Sequence, residues 1–228
     1  MRRKLFILAV ICTSLFFTGC SDVSYVDSDS VDQNSILQCY SIVYDAQTQY
    51  VSCEAAFNVD NKSGSLVRLT GSSSVTCDNE AMTFEDGRYF LGKDSPKDPG
   101  KVTFHYVNND GGKFVNTFKL KSIDTKTEDI TLTLGETNTL SFQGKKADEN
   151  DRFFLVLKRD GQVEVEIEAS EADGHNLTFY AEDLPAIAAG TYDAQLSRRS
   201  EGTNVKASDR GGFWNTECLS VLKKVTIK

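Results

Sequence analysis

The sequence is poor in several residue types, and each shortage excludes a class of protein. It contains three prolines, one tryptophan and two histidines in 228 residues. Beyond residue 20, no apolar run approaches the roughly 20 residues that a membrane-spanning helix needs. Basic residues are outnumbered, with 25 Lys and Arg against 33 Asp and Glu. An acidic chain repels phosphate backbones, so we expect no nucleic-acid partner.

The motifs of common catalytic and cofactor sites are also missing. The sequence has no HExxH, GxSxG, phosphate-loop or CxxC pattern. Its two histidines, His105 and His175, fall in different predicted domains. Acidic clusters such as Asp148–Asp151 lack the spacing of a calcium loop and are interpreted as turns, which leaves calcium binding as a weaker alternative. We therefore predict a protein that is not an enzyme and that has no metal and no cofactor.

The first twenty residues carry the strongest positive signal. Arg2, Arg3 and Lys4 precede an apolar stretch from Leu5 to Phe17, which is too short for a stable transmembrane helix. A basic start followed by a short apolar stretch is typical of an export signal. Removal of residues 1–19 takes away three basic residues and no acidic one, so the net charge changes from −8 to −11.

The end of this stretch, Phe17-Thr18-Gly19-Cys20, resembles a lipobox, the site at which signal peptidase II cleaves bacterial lipoproteins. The resemblance implies cleavage after residue 19 and attachment of palmitate-like acyl chains to Cys20, which would anchor the protein on a membrane. In that family, Asp directly after the cysteine favours the inner membrane. Ser21 stands there instead, which favours the outer membrane, on its periplasmic face or at the cell surface. The alternatives are an ordinary secreted protein and an uncleaved anchor.

The rest of the chain alternates apolar and polar residues with a period of two and lacks a long helical period. We predict an all-β protein with two immunoglobulin-like β-sandwich domains in tandem, at residues 37–122 and 123–228. Residues 20–36 are polar and rich in Ser and Asp, and are predicted to be a lipidated, flexible tether. Asp160-Gly161 predicts a hairpin turn. Tyr192 resembles the tyrosine of immunoglobulin-like domains whose hydroxyl folds back onto the preceding corner.

Four cysteines remain after the lipidated one, an even number that suits an oxidising compartment. A hairpin centred near Ala46 would place Cys39 opposite Cys53, and we predict a disulfide between them. Cys77 and Cys218 would then form a second disulfide that joins the two domains. The alternative is one disulfide and two free thiols.

The segment from Arg198 to Thr216 shows no strand pattern and is locally basic in an acidic protein. We predict a long loop with a binding role, because loops on rigid sandwiches often carry function and because Trp and Arg are enriched at binding hot spots. Its candidate contact residues are Arg198, Arg199, Lys206, Arg210, Phe213 and Trp214. The alternative is that Trp214 packs at the domain junction and the arginines are merely solvated.

Together, these features favour a lipid-anchored binding protein of the cell envelope without catalytic activity. The first hypothesis is an accessory subunit of an envelope assembly with a protein partner. The second is a surface-exposed adhesin or a glycan-binding lipoprotein. The third is a hydrolase or an inhibitor of one, since the spatial arrangement of carboxylates is invisible in a sequence.

Overall fold

A computed structural model describes residues 25–184 and 187–228 of the chain. The predicted export signal and Cys20 lie outside the described residues. Within those ranges, no helix has the length and apolar character to cross a membrane.

The described residues form β-strands joined by turns and by short 3-10 helices. The strands are β1 (Tyr25–Asp27), β2 (Ile36–Asp45), β3 (Tyr50–Val59), β4 (Leu66–Arg68), β5 (Ser74–Cys77), β6 (Glu80–Ala81), β7 (Thr83–Glu85), β8 (Arg88–Asp94), β9 (Lys101–Val107), β10 (Lys113–Lys119), β11 (Ile123–Thr125), β12 (Asp129–Leu132), β13 (Asn138–Gly144), β14 (Asp151–Arg159), β15 (Gln162–Glu168), β16 (Glu171–Asp173), β17 (Asn176–Phe179), β18 (Gly190–Gly202), β19 (Gly212–Leu219) and β20 (Lys223–Ile227). The 3-10 helices are Ser28–Ser30, Gln33–Ser35 and Ala181–Asp183.

One large sheet runs through both halves of the described chain, and two smaller sheets pack against it. The large sheet has the order β1-β4-β3-β2-β19-β18-β14-β15, with β8 and β7 extending from β3, and β20 and β12 extending from β18. The smaller sheets have the orders β10-β9-β5-β6 and β11-β13-β17-β16. The chain is therefore an all-β protein of packed sheets, as predicted.

Each small sheet encloses a separate hydrophobic core with its part of the large sheet. In the first core, the inward residues of β2 and β3 meet aromatic residues of β9 and β10, and Tyr40 lies 4.6 Å from Phe104 between ring centroids. In the second core, β14 and β18 meet β13 and β17, with Phe142 5.2 Å from Phe153. Alternate residues of these strands point inward, which explains the period of two in the sequence.

Two local predictions are confirmed in the second core. Asp160 and Gly161 both have positive φ, and Arg159 pairs with Gln162 across the turn between β14 and β15. This is the geometry that Asp-Gly favours in a two-residue hairpin. The Tyr192 hydroxyl donates a hydrogen bond of 2.8 Å to the carbonyl oxygen of Ala188, so it folds back onto the preceding corner.

The predicted flexible tether is wrong for residues 25–36. Strand β1 pairs in parallel with β4, and Ser28 and Gln33 are buried. The Ser28 hydroxyl lies 2.7 Å from that of Ser73, and Gln33 donates to the Ser28 carbonyl oxygen at 2.6 Å. This polar segment is ordered because its buried groups are hydrogen-bonded, which a reading based on composition does not detect.

Strand β19 links the two halves of the chain in a way that the sequence did not predict. It pairs antiparallel with β18 on one side and parallel with β2 on the other, along all eight of its residues on the β2 side. Cys218 of this strand is buried in the first core, although the strand comes from the C-terminal half. The predicted boundary at residues 122 and 123 falls between Leu120 of the first core and Ile123 of the second. Whether the halves fold independently stays a prediction.

Candidate functional site

The predicted binding loop is wrong for most of its length. Residues from Arg198 to Gly202 belong to β18, and Gly212 to Thr216 belong to β19, so only residues 203–211 form a connection. These strand segments carry polar residues in place of a regular apolar alternation. Some of these polar residues are buried, such as Arg198 and Ser200, and others are exposed, such as Glu201 and Asn215. A search for apolar alternation therefore does not detect them as strands.

Arg198 is a buried structural residue, with 2% of its surface exposed. Its guanidinium forms an ion pair with Asp151 and donates to the carbonyl oxygens of Lys145 and Lys146 at 2.6 and 2.8 Å. It also lies 5.1 Å above the ring of Phe153. Arg198 is therefore unavailable for contact with a partner.

The side chain of Asp151 is also fully buried and is the centre of this cluster. Burial by itself would raise the pKa of its carboxyl group. Hydrogen bonds from Arg198, Lys121 and Ser200 outweigh that effect and lower the pKa to about 2. The Asp148–Asp151 cluster, considered above for calcium, is thus used internally, and the described residues contain no group of three or more acidic, His or Cys side chains placed to hold a metal ion.

Two more of the predicted basic residues, Arg199 and Arg210, are also engaged within the protein, whereas Lys206 is exposed. Arg199 bridges Glu166 and Glu217 at 2.7 and 2.9 Å and lies over the ring of Phe154 at 4.1 Å. Arg210 is half-exposed and pairs with Asp60 at 2.9 Å. Neither residue lines a cavity with the other predicted contacts.

The connection between β18 and β19 is fastened to the first sandwich. The side chain of Asn116 accepts a hydrogen bond from the backbone nitrogen of Lys206 at 2.7 Å and donates to its carbonyl oxygen at 2.9 Å. Ser208 donates to the carbonyl oxygen of Ile36 at 3.0 Å, and Val205 packs against the first core. The connection therefore packs on the first sandwich, where a long loop with a binding role was predicted.

A groove of about 630 Å³ lies beside this connection and is the candidate functional site. It occupies the outer face of the large sheet, where β3, β2 and β19 are neighbours. Its lining includes the end of β18, Glu201–Thr203, and the side chains or backbone of Cys39, Ser41, Glu54, Ala56, Asn58, Lys62, Arg88, Phe213, Trp214 and Asn215. A volume of this size suits a small molecule or a few residues of a peptide.

The floor of this groove, which we call the β2–β19 groove, consists of small side chains. Cys39 and Ser41 alternate with the buried Tyr40 and Ile42, so they point away from the core. Ala56 lies opposite Cys39 on β3. Because these side chains are short, the centre of the sheet is lower than its surroundings.

Longer side chains form the walls. The Lys62 ammonium lies 3.7 Å from the centroid of the Phe213 ring, a cation–π contact. Arg88 forms an ion pair with Glu54, and Glu201 contributes a second carboxylate. The rim therefore presents charges of both signs around a small-residue floor.

Cys39 is the one cysteine that lines the β2–β19 groove. Burial raises the pKa of its thiol above the usual value, while the positive charges of Lys62 and Arg88 oppose that change. Burial is the larger cause, so the group is a protonated thiol at neutral pH, with little thiolate for nucleophilic chemistry.

Trp214 borders the groove but is committed to the first core. Its ring stacks on Phe118 with 5.5 Å between centroids, and its indole nitrogen donates to Asn204. The backbone of Gly202 packs against the indole so closely that a Cβ atom there would lie 2.8 Å from Nε1. Of the two interpretations of Trp214, packing therefore describes it better than contact with a partner. The residue packs against the first core, whereas the prediction placed it at the domain junction.

Of the six predicted contact residues, the structure brings only Phe213 and Trp214 to the groove. Most of the residues that were missed come from the first half of the chain, and Glu201–Thr203 and Asn215 lie within the predicted segment but were not named as contacts. The alternation in β2 and β3 identifies their outward positions, but no sequence signal indicated that β19 would lie beside β2.

The predicted disulfides are not present, and all four described cysteines carry free thiols. The hairpin between β2 and β3 pairs Asp45 with Tyr50, so Cys39 lies opposite Ala56. Cys53 is three residues from that position and points to the other face of the sheet, into the first core. A Cys39–Cys53 bond is excluded by this register, because the turn is centred between residues 47 and 48 where the prediction centred it near Ala46.

Comparisons with known proteins find weak likenesses to solved structures. No protein-family model matches the chain, and no curated protein matches it. Tandem immunoglobulin domains A164–A165 of titin match with 13% identity, over 85% of this chain and 95% of that chain, with a TM-score of 0.23. Fibronectin(III)-like modules of Clostridium thermocellum CbhA match with 9% identity, over 82% and 92%, with a TM-score of 0.23. Cadherin domains 3–6 of protocadherin gamma B2 match with 7% identity, over 87% and 51%, with a TM-score of 0.24. TM-scores of this size carry no argument about this chain. The description of the fold therefore rests on the observed strand pairing.

Proposed function

We propose that this protein is a non-catalytic, lipid-anchored subunit of a cell-envelope assembly that binds an extended segment of a partner protein in the β2–β19 groove. The observation that carries the proposal is the groove itself, a cavity of about 630 Å³ on a rigid sheet. Its floor of Cys39, Ser41 and Ala56 offers room for side chains of the partner. Sites on regular elements hold their geometry better than sites on loops.

The charges at the rim support a protein as the occupant. Lys62 and Arg88 stand near Glu54 and Glu201, so the groove can pair with side chains of either sign. Charge pairs at an interface mainly contribute specificity and orientation. The partner segment should therefore combine small or apolar residues at its centre with charged residues at its ends.

The same geometry disfavours the glycan-binding alternative. Sugar rings stack on open aromatic faces, and none of the three aromatic residues that line the groove offers one: Tyr40 is buried in the first core, and the other two are engaged. Phe213 is capped by Lys62, and Trp214 is stacked on Phe118. A sugar would have to displace Lys62 before it could contact the Phe213 ring.

Pull-down from membranes in mild detergent tests the groove. The substitution Ala56→Trp would fill the floor without removing a charge, and Lys62→Glu would reverse one wall. As a control, Val115→Trp places the same side chain on β10, where Val115 is 41% exposed. We expect a stable envelope-protein partner that is retained by wild-type protein and the control but lost with both groove variants. Equal retention by all four proteins would contradict binding in the groove.

The anchoring part of the proposal rests on the lipobox resemblance at Cys20, and on Ser21 after it. We expect Cys20→Ala to release the protein from the membrane fraction. In intact cells, added protease should spare the protein and digest it only after lysis, because the proposed assembly faces the periplasm. Digestion on intact cells would instead favour the surface-exposed adhesin.

A further inference from the structure

Two cysteines of the first sandwich meet in its core. Cys53 lies on β3 in the large sheet, and Cys77 lies on β5 in the facing small sheet. Both are fully buried, with 0% of their surfaces exposed, in the same hydrophobic core, and Cys53 is the neighbour that most raises the pKa of the Cys77 thiol. The two residues belong to different sheets, so they meet by packing of side chains across the core and not by backbone pairing.

Strand register explains why these two side chains meet. Cys53 pairs with Ile42 on one side and with Leu91 on the other, and it points inward together with Val51 and Ala55. Cys77 pairs with Phe104 of β9, which is itself buried in the same core. The two thiols thus approach from opposite walls of one sandwich.

The strand order and register exclude two other pairings. Strand β2 lies between β3 and β19, so Cys53 and Cys218 are two strand spacings apart, roughly 10 Å, and cannot be bridged. The register also excludes a bond between Cys39 and Cys218. On neighbouring strands, Cys39 pairs with Phe213, and Cys218 pairs with Tyr44. Five residues of extended chain separate these positions, roughly 16 Å, whereas a disulfide needs Cα atoms within about 7 Å. Cys39 also points into the groove, on the face opposite to Cys53 and Cys77.

We propose that Cys53 and Cys77 form a disulfide that joins the two sheets of the first sandwich, while Cys39 and Cys218 remain thiols. The oxidation of the two thiols forms one S–S bond and releases two protons and two electrons. A disulfide of a thiol–disulfide oxidant accepts them and is reduced to two thiols. This pairing in the cell rests on the export that is part of the proposed function, because disulfides persist in oxidising compartments.

The environment of the pair indicates when the bond forms. Contact with Cys53, followed by burial, raises the pKa of the Cys77 thiol well above its usual value. The thiolate is the reactive form, so the folded, reduced protein should oxidise very slowly. The bond should therefore form during folding, while the core is still open to an oxidant.

Peptide mapping after refolding tests the pairing. The reduced, denatured protein is refolded in a mixture of reduced and oxidised glutathione, quenched with acid, alkylated and digested without reductant. We expect a linked peptide that contains Cys53 and Cys77, and alkylated Cys39 and Cys218. Linkage of Cys53 or Cys77 to another cysteine, or four alkylated thiols after refolding, would overturn the proposal.

Matched variants separate the bond from general effects of cysteine replacement. In Cys39→Ser/Cys218→Ser, the linked peptide should persist, and reductant should lower the thermal midpoint by roughly 10 °C, as expected for a loop of this length in a chain of this size. In Cys53→Ala/Cys77→Ala, reductant should leave the midpoint unchanged. A midpoint insensitive to reductant in the Ser double variant would also overturn the proposal.

Mapping of protein taken directly from cells distinguishes this proposal from the proposed function. Protein that carries the bond after refolding but is fully reduced when taken from cells would contradict export to an oxidising compartment and leave the pairing itself supported. Binding in the β2–β19 groove is measured separately by the pull-down, in which Cys53→Ala/Cys77→Ala presents an unchanged groove surface.

Discussion

The buried ion pair between Arg198 and Asp151 offers a sharp test of how the second sandwich is held together. Arg198→Met keeps most of the side-chain length but removes the charge and the hydrogen bonds to Asp151 and to the Lys145 and Lys146 carbonyl oxygens. The Asp151 carboxylate, which has 0% exposure, then stays buried with only part of its charge compensated. Such a loss typically costs about 3–5 kcal/mol.

We expect a value near the lower end, about 3 kcal/mol, because Lys121 and Ser200 still donate to Asp151 at 2.7 and 2.5 Å. The assay is urea-induced unfolding followed by circular dichroism, with the free energy of unfolding compared at neutral pH. The neighbouring Arg199→Met is the matched control. The Arg199 side chain is 24% exposed and its ion pairs reach solvent, so its loss should cost about 1 kcal/mol.

Acid titration of stability tests the same cluster independently. Asp151 has a pKa of about 2 in the folded protein and about 3.9 in an unfolded chain. Its ionised form therefore stabilises the fold above the unfolded pKa, and this contribution, about 2.5 kcal/mol, is lost as the pH falls through the folded pKa, from about 5 to 1. The Asp151→Asn variant should lack that part of the pH dependence. Equal costs for Arg198→Met and Arg199→Met, or an unchanged acid profile in Asp151→Asn, would refute the reasoning.

Three further changes have defined outcomes. Tyr192→Phe removes the hydrogen bond to Ala188 and should lower the free energy of unfolding by about 1 kcal/mol, measured by urea unfolding; no change would show that the corner is held by packing alone. Asn116→Ala removes both hydrogen bonds to the Lys206 backbone, so limited proteolysis should cut residues 203–211 faster than in wild type; an unchanged rate would contradict the fastening. A chain ending at residue 122 lacks β19 and should fail to unfold cooperatively in urea, whereas a sharp transition would show that the first sandwich does not need that strand.

The sequence predicted the parts of the fold that depend on near neighbours. Alternation identified the strands, Asp160-Gly161 identified its turn, and the residues before Tyr192 identified the corner. Each of these depends on backbone preferences and contacts within a few residues, which a single sequence records directly.

The parts that it missed depend on partners distant in the chain. Arg198 was interpreted as exposed because a basic residue is normally solvated, and only the position of Asp151 explains its burial. The disulfide prediction failed because a shift of about one and a half residues in a turn centre moves Cys53 to the other face of the sheet. The groove could not be predicted, since the parallel pairing of β2 with β19 joins residues more than 170 positions apart and leaves no local pattern.

The placement of β2 also has a mechanical consequence. In the anchored protein proposed above, a pull on the membrane-attached N-terminus would reach the large sheet through β1 and then β2. Strand β2 is paired along its length with β3 and along eight residues with β19. Hydrogen bonds between strands run across the strand axis, so tension along β2 would have to break many of them at once. A strand that is pulled away from one end instead breaks them one after another. Tension between the proposed lipid anchor and a partner in the groove would thus be carried by the paired strands β2, β3 and β19.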